Sequence, residues 1–215
     1  MTVPSETTES ALQSDGLQNE PPDASPVPSK DRRSASRGAT EWVAVLGGAV
    51  LIALIIRALL IQAFYIPSES MESTLVKNDR VLVNKLSYRL HDVNRGDVVV
   101  FERTESQAAA ETKDLIKRVI GIPGDSIVID DATAKVIRNG EVIDEPYVKA
   151  GVPTRNGAIP CTAAKPCVVP TASIFVMGDN RTNSRDSRYI GFVGTEQIVG
   201  RAFVRVWPFS RLGGL

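Results

Sequence analysis

Between Trp42 and Ile66 the chain carries one charge, Arg57, in an otherwise apolar stretch. A helix over the whole run would be about 37 Å long, against roughly 30 Å of hydrocarbon in a bilayer. Arg57 would cost about 2.5–3.5 kcal/mol at mid-bilayer. It follows fifteen mostly apolar residues, however, so it lies towards one end and can reach the interface. The stretch reads as a single transmembrane helix over residues 42–62. The competing readings are a buried helix of a soluble domain and a cleaved leader. For a leader the run is long and begins late, although Ser68-Glu69-Ser70 offers a small-x-small triplet. Lys30, Arg32, Arg33 and Arg37 precede the run, and after Arg57 no Lys or Arg occurs until Lys77. The excess of positive charge puts the N-terminus in the cytoplasm and the remainder outside, anchored in the cell membrane.

The flanks differ sharply. Residues 1–41 are rich in Ser, Pro, Thr, Glu and Asp, and such a segment buries too little apolar surface to order itself. After the run the chain reads as mainly β. Arg80–Asn84, Asp97–Phe101, Leu115–Ile120, Ser173–Met177 and Arg201–Val206 are short β-branched runs bounded by turn residues. Residues 104–113 read as an exposed loop or short helix. Lys135–Asp144 reads as a hairpin about Asn139-Gly140, a type I′ turn pair. Its register sets Arg138 opposite Glu141 and Lys135 opposite Asp144. Outside the cell, Cys161 and Cys167 favour a disulfide closing their own loop.

Chemistry points to the segment straight after the run, Ile66-Pro67-Ser68-Glu69-Ser70-Met71-Glu72-Ser73-Thr74-Leu75. A Pro-led, Ser-rich segment reads as a turn that can present Ser68 and Ser70 together, with Met71 and Leu75 as apolar anchors. A nucleophilic serine needs a base and donors for an oxyanion. One histidine, His91, stands in a polar loop. Lys117 shares a strand face with Leu115 and Val119, and desolvation there would favour the neutral amine. Arg118, on the opposite face, is expected to reach water. Periodicity alone does not separate a basic Lys117 from an ordinary lysine whose head reaches solvent. A single histidine and two cysteines leave no metal-ligand set, and a formal net charge of +0 gives no reason to expect nucleic acid.

Four segments taken together extend this reading. They are residues 66–75, Arg95-Gly96-Asp97-Val98-Val99-Val100-Phe101, residues 116–125 ending Gly121-Ile122-Pro123-Gly124-Asp125, and residues 178–188 from Gly178-Asp179-Asn180 to Asp186-Ser187-Arg188. In order, and after an apolar anchor, they resemble the catalytic-domain boxes of bacterial type I signal peptidases, over about residues 57–206. The resemblance implies Ser70 as nucleophile and Lys117 as general base. It implies the Ser70 N–H and the Ser68 hydroxyl as the oxyanion hole, Ser184 orienting the amine, and Asp186 with Arg188 as a supporting ion pair. It implies a β-rich catalytic core, here residues 63–125 and 172–215, with a smaller β insertion over residues 126–171. It further implies small apolar pockets near Ile66, Met71, Leu115 and Ile116 that take alanine-sized side chains of secretory preproteins, in contact with lipid and near the secretion machinery, without a cofactor. Three positions depart from the family: Glu69 where Gly is common, Ser73 where Pro is common, and Thr182 where Asp is usual. A self-cleaving protease with the same pair of groups, and a membrane-tethered β module without catalysis, are the alternatives.

Overall fold

The computed structural model describes residues 32–103 and 113–215, with backbone alone for 32–40 and 56–59. Nearly all of the expected 104–113 loop lies outside those residues, as does the N-terminal tail through residue 31. The chain divides into two compact units, Met1–Gly47 and Gly48–Leu215.

Helix α1 spans Arg32–Leu60. It begins nearly three turns before the apolar run, where a disordered tail through residue 41 was expected. It also stops earlier than that run. Ile61–Tyr65 forms strand β1, paired antiparallel with β2 (Arg80–Asn84) from Ile61↔Asn84 to Tyr65↔Arg80. Among the described residues no helix is long and apolar enough to cross a membrane. The span expected over residues 42–62 thus loses its last residues to β1, because Ile61, Phe64 and Tyr65 suit a pleated surface as well as a helix.

The strands build two antiparallel sheets. In the larger, β2 is followed by β3 (Val98–Glu102), β4 (Asp114–Gly121), β9 (Ser173–Met177), β10 (Val193–Gly194), β11 (Ile198–Trp207) and β12 (Gly213–Gly214). Their order is β1-β2-β11-β3-β4-β9-β10, with β12 pairing on β11. Helix α2 (Ser87–Leu90) follows β2, and helix α3 (Ser187–Ile190) lies between β9 and β10. The smaller sheet has the order β7-β6-β5-β8, from β5 (Ser126–Asp130), β6 (Lys135–Arg138), β7 (Glu141–Val142) and β8 (Cys167–Val168).

The hairpin turns at Asn139 and Gly140, with φ of 54° and 87°, both in the left-handed region that a type I′ turn requires. Arg138 opposes Glu141 as expected. Lys135 and Asp144 do not pair, because β7 ends at Val142 and Lys135 pairs with Asp130 of β5 instead. Cys161 and Cys167 form the disulfide, and Cys167 lies opposite Ile127 in the sheet.

Two features of the larger sheet position the site. Ile66, Met71 and Leu75 are almost fully buried in one core cluster with Val81, Val83, Val98, Val100 and Ile116. Each such side chain contributes about 1.5–3 kcal/mol of burial, so the Ser70 loop is pinned from both ends. Strand β4 pairs with β3 along residues 114–118, but its pairing with β9 begins only at Arg118↔Met177. On the β9 side, residues 114–117 face no strand among the described residues.

Candidate active site

Ser70 lies in the turn between β1 and β2, held by Leu75 N–H donating to Met71 O (2.8 Å) and Glu72 N–H to Glu69 O (3.0 Å). Lys117 lies on β4 with its side chain among apolar groups; it is 2% exposed and Ser70 is 7% exposed. The amine is 2.6 Å from Ser70 Oγ and donates to Ile116 O at 2.8 Å. Burial pulls the amine from its ordinary 10.5 down to about 8. Asp186 opposes that shift, Arg103 reinforces it, and Asp179 opposes it more weakly. At pH 7 roughly a tenth of the protein therefore holds an uncharged amine whose lone pair can face the hydroxyl.

Activity that depends on this amine should rise with pH, reaching half its plateau near pH 8, because protonation below that value blocks proton abstraction. Initial rates on a leader-peptide substrate between pH 6 and 10 measure this. A profile falling smoothly from pH 6 to 9 would contradict it.

Ser68 Oγ is 3.4 Å from Ser70 Oγ, and Ser68 is exposed beside it. Among the described residues no hydrogen bond is donated by the Ser70 N–H. The last segment grips the same loop from behind. Asn180 N–H donates to Ser70 O at 3.1 Å, and Asn180 Nδ2 donates to Glu69 O at 3.1 Å. Glu69, at a position where Gly was expected to be common, turns its carboxylate towards Asn183 Nδ2 at 3.5 Å.

Gly178 is required here. A Cβ at that position would fall 2.4 Å from Ser70 O and 2.2 Å from Ser184 Oγ, so only glycine allows the two segments to meet. The Ser184 hydroxyl is buried without a well-formed hydrogen bond, although it weakly favours the charged form of Asp186. It is packed at Gly178, and its hydroxyl is not among the partners of the Lys117 amine.

Asp186 and Arg188 are 0% and 2% exposed. Arg188 Nε and Nη2 each donate to the carboxylate at 2.8 Å, and Gly178 N–H donates to it at 3.0 Å. Burial pushes Asp186 up, but the Arg188 bonds and charge outweigh it and hold the carboxyl below its ordinary value.

Arg118 corrects an expectation. It does not reach water; it is 7% exposed. Its Nε and Nη2 clasp Asp179 at 2.9 and 2.7 Å, and Asp179 also accepts from Thr74 Oγ1 at 2.5 Å. Both faces of β4 are covered, so alternation could not identify a wet one. This pair and the Arg181–Glu145 pair escaped the sequence reading because their partners are far apart along the chain. His91 is exposed, with Nδ1 2.9 Å from Asp92 O, and is not in the constellation described here.

Between the β1 end and β4, a cavity of about 280 Å³ is lined by Phe64, Tyr65, Ile66, Pro67, Val100, Lys113, Asp114, Leu115 and Ile116, the last of them the chain neighbour of Lys117. Ile66, Leu115 and Ile116, three of the four residues expected to contact substrate, are on this lining. Met71 is not on this lining; it is fully buried in the core beneath.

A buried hydroxyl in contact with a buried, partly neutral amine, with a second hydroxyl alongside, is the equipment of a serine hydrolase with a lysine base. A model of the family described as signal peptidase, peptidase S26, matches residues 39–207. A probable signal peptidase I-2 of Synechocystis sp. is 45% identical over 166 residues, covering 77% of this chain and 72% of that protein. Signal peptidase I of Leptolyngbya laminosa is 39% identical over 206 residues, covering 94% and 96%. Signal peptidase IB of Staphylococcus aureus is 35% identical over 180 residues, covering 79% and 90%. A crystal structure of a signal peptidase I from Enterococcus faecalis V583 is 28% identical, covers 52% of this chain and 97% of that one, and superposes with a TM-score of 0.41. The chain belongs to the S26 family of signal peptidases.

Proposed function

We propose that this chain removes signal peptides from exported preproteins by acyl transfer through Ser70 and Lys117. The 2.6 Å contact between the Lys117 amine and Ser70 Oγ, in a water-poor site, carries the reading. The neutral amine takes the Ser70 proton as Oγ attacks the scissile carbonyl. The Ser70 N–H and Ser68 hydroxyl hold the oxyanion. The ammonium then protonates the departing amine of the mature chain. Water, deprotonated by the same lysine, cleaves the ester and releases the signal peptide with a new carboxylate.

The cavity between β1 and β4 supports an extended substrate. Residues of β1 line it on one side, and the unpaired edge of β4 lines the other. A preprotein segment can add there as a strand, through main-chain hydrogen bonds that fix the register of the cut. Ile66, Leu115 and Ile116 leave room for small side chains, which supports cleavage after small-x-small residues.

Membrane placement belongs to the same reading. Trp42, Leu46, Leu51 and Leu54 of α1 are exposed, an apolar surface that lipid would cover. At one end of the sheet Tyr65 neighbours Arg80, which neighbours Trp207, and Trp207 meets Phe209 edge to face. Exposed aromatics of this kind suit the headgroup region. The N-terminus would then be cytoplasmic and the sheets extracytoplasmic.

Purified protein incubated with a preprotein should release the mature chain with a new N-terminus after a small residue, read by mass spectrometry. Ser70→Ala should abolish release, and Ser68→Ala should lower kcat by about 10²-fold. Cleavage of the enzyme's own chain alone would favour the self-processing alternative. An inert Ser70 towards acylating probes would favour the non-catalytic one.

A further inference from the structure

The insertion is joined to the catalytic loops by a short stretch that the proposed chemistry does not use, Glu145-Pro146-Tyr147. Arg181 is 3% exposed and sits one residue beyond Asn180, whose amide and side chain hold the Ser70 and Glu69 carbonyls. A cation so buried needs an anion. Glu145 supplies it with both oxygens, one of them 2.9 Å from Arg181 Nη1. Arg181 spends its other donors on Thr154 Oγ1 of the insertion (2.7 Å) and on Gly178 O (3.2 Å).

Tyr147 reaches the other side of the same arrangement. Its hydroxyl donates to Glu145 at 3.1 Å. Its ring lies 4.1 Å from the Arg118 guanidinium, which clasps Asp179 and through it Thr74. Its carbonyl accepts from Ser73 Oγ at 2.9 Å. Ser73 stands where the family commonly has Pro. A proline would stiffen that position but has no donor; the serine ties it to the insertion instead.

We infer that Glu145 and Tyr147 are positioning residues: from the insertion they fix the two segments, 69–74 and 178–181, that bracket Ser70. Neither touches the reacting atoms, and the inference rests on the Ser70–Lys117 reading. It follows that the insertion sets the attack geometry.

Glu145→Gln keeps the shape of the side chain but leaves Arg181 without its counter-charge. A shift of about an ångström at a reacting centre costs up to about 10²-fold. We expect kcat to fall about ten- to hundredfold with KM within about threefold. Labelling of Ser70 by a small acylating probe, too short to occupy the β1–β4 cavity, should slow by the same factor. Ser73→Ala, at an exposed bond, cannot fail to fold for lack of one hydroxyl and should slow labelling about fivefold. The Glu145→Gln/Arg181→Gln double variant should be no slower than Arg181→Gln alone. Wild-type labelling in both Glu145→Gln and Ser73→Ala would overturn the inference, as would a loss confined to KM or one that tracks the unfolded fraction in a thermal melt. Ser70→Ala separates the two levels. If it is inert while Glu145→Gln and Ser73→Ala behave as wild type, only the positioning role falls. If it still cleaves preprotein, the Ser70–Lys117 reading falls and takes this inference with it.

Discussion

A Lys117→Met variant should cleave a leader-peptide substrate about 10³-fold more slowly than wild type, the range expected for losing a general base. Methionine fills nearly the same volume, so the fold should survive. Indeed the variant should be the more stable protein near neutral pH. A lysine that falls from 10.5 to about 8 on burial carries a cost of roughly 3 kcal/mol at pH 7, since each unit is about 1.4 kcal/mol. Losing the amine's bonds to Ser70 and Ile116 offsets part of this, leaving a gain of about 1–2 kcal/mol. The sign follows from linkage. The folded amine loses its proton at lower pH than the unfolded one, so the burial cost is complete below pH 8 and fades as pH rises towards 10.5. The advantage should therefore shrink in alkaline buffer. Single-turnover cleavage at pH 8, beside thermal melts at pH 7 and pH 10, tests both parts. Cleavage within tenfold of wild type would remove Lys117 from the mechanism.

Arg188→Met should produce the largest loss of stability, about 3–5 kcal/mol, by leaving the Asp186 carboxylate buried without its cation. In the wild type the lowered Asp186 pKa contributes stability that is present above the unfolded carboxyl's pKa and lost as pH falls through the folded one. Without Arg188 only the Gly178 N–H and the weaker Ser184 contribution oppose the upward push of burial, so the variant should weaken at milder acidity than the wild type. Adding Asp186→Asn should recover much of the loss, because the charge that lacked a partner is gone. Urea unfolding at pH 7 measures each step. A single variant within 1 kcal/mol of wild type would show that another group compensates Asp186.

Sequence alone gave access to the elements that announce themselves locally. Asn139-Gly140 marks its hairpin because few residue pairs accept two successive left-handed conformations, and Ser173–Met177 is closed by the long polar segment that follows it. β1 went unseen because nothing punctuates the passage from helix to strand inside one apolar run, and the strand's partner, β2, is visible only in the fold. The site was legible in a different way. Alternation placed Lys117 among apolar residues, but it treated Arg118 as wet by the same logic, and the structure buries both. What covers Arg118 is Asp179, 61 residues away; no periodicity reports such a partner. Order and spacing of the four segments conveyed what single residues could not. The role of Glu145 and Tyr147 was invisible for the complementary reason: the two residues contact two distant segments without any motif of their own.

Among the described residues β4 has no strand partner on its β9 side from Asp114 to Lys117, and the strand addition proposed there has a consequence for breadth of use. Amide groups are common to all polypeptides, so an enzyme that grips them can serve clients whose sequences share nothing but slimness at two places. Such generosity has a matching blind spot. A client methylated on the nitrogens that face this edge should pass through uncut, even with ideal residues at the scissile bond.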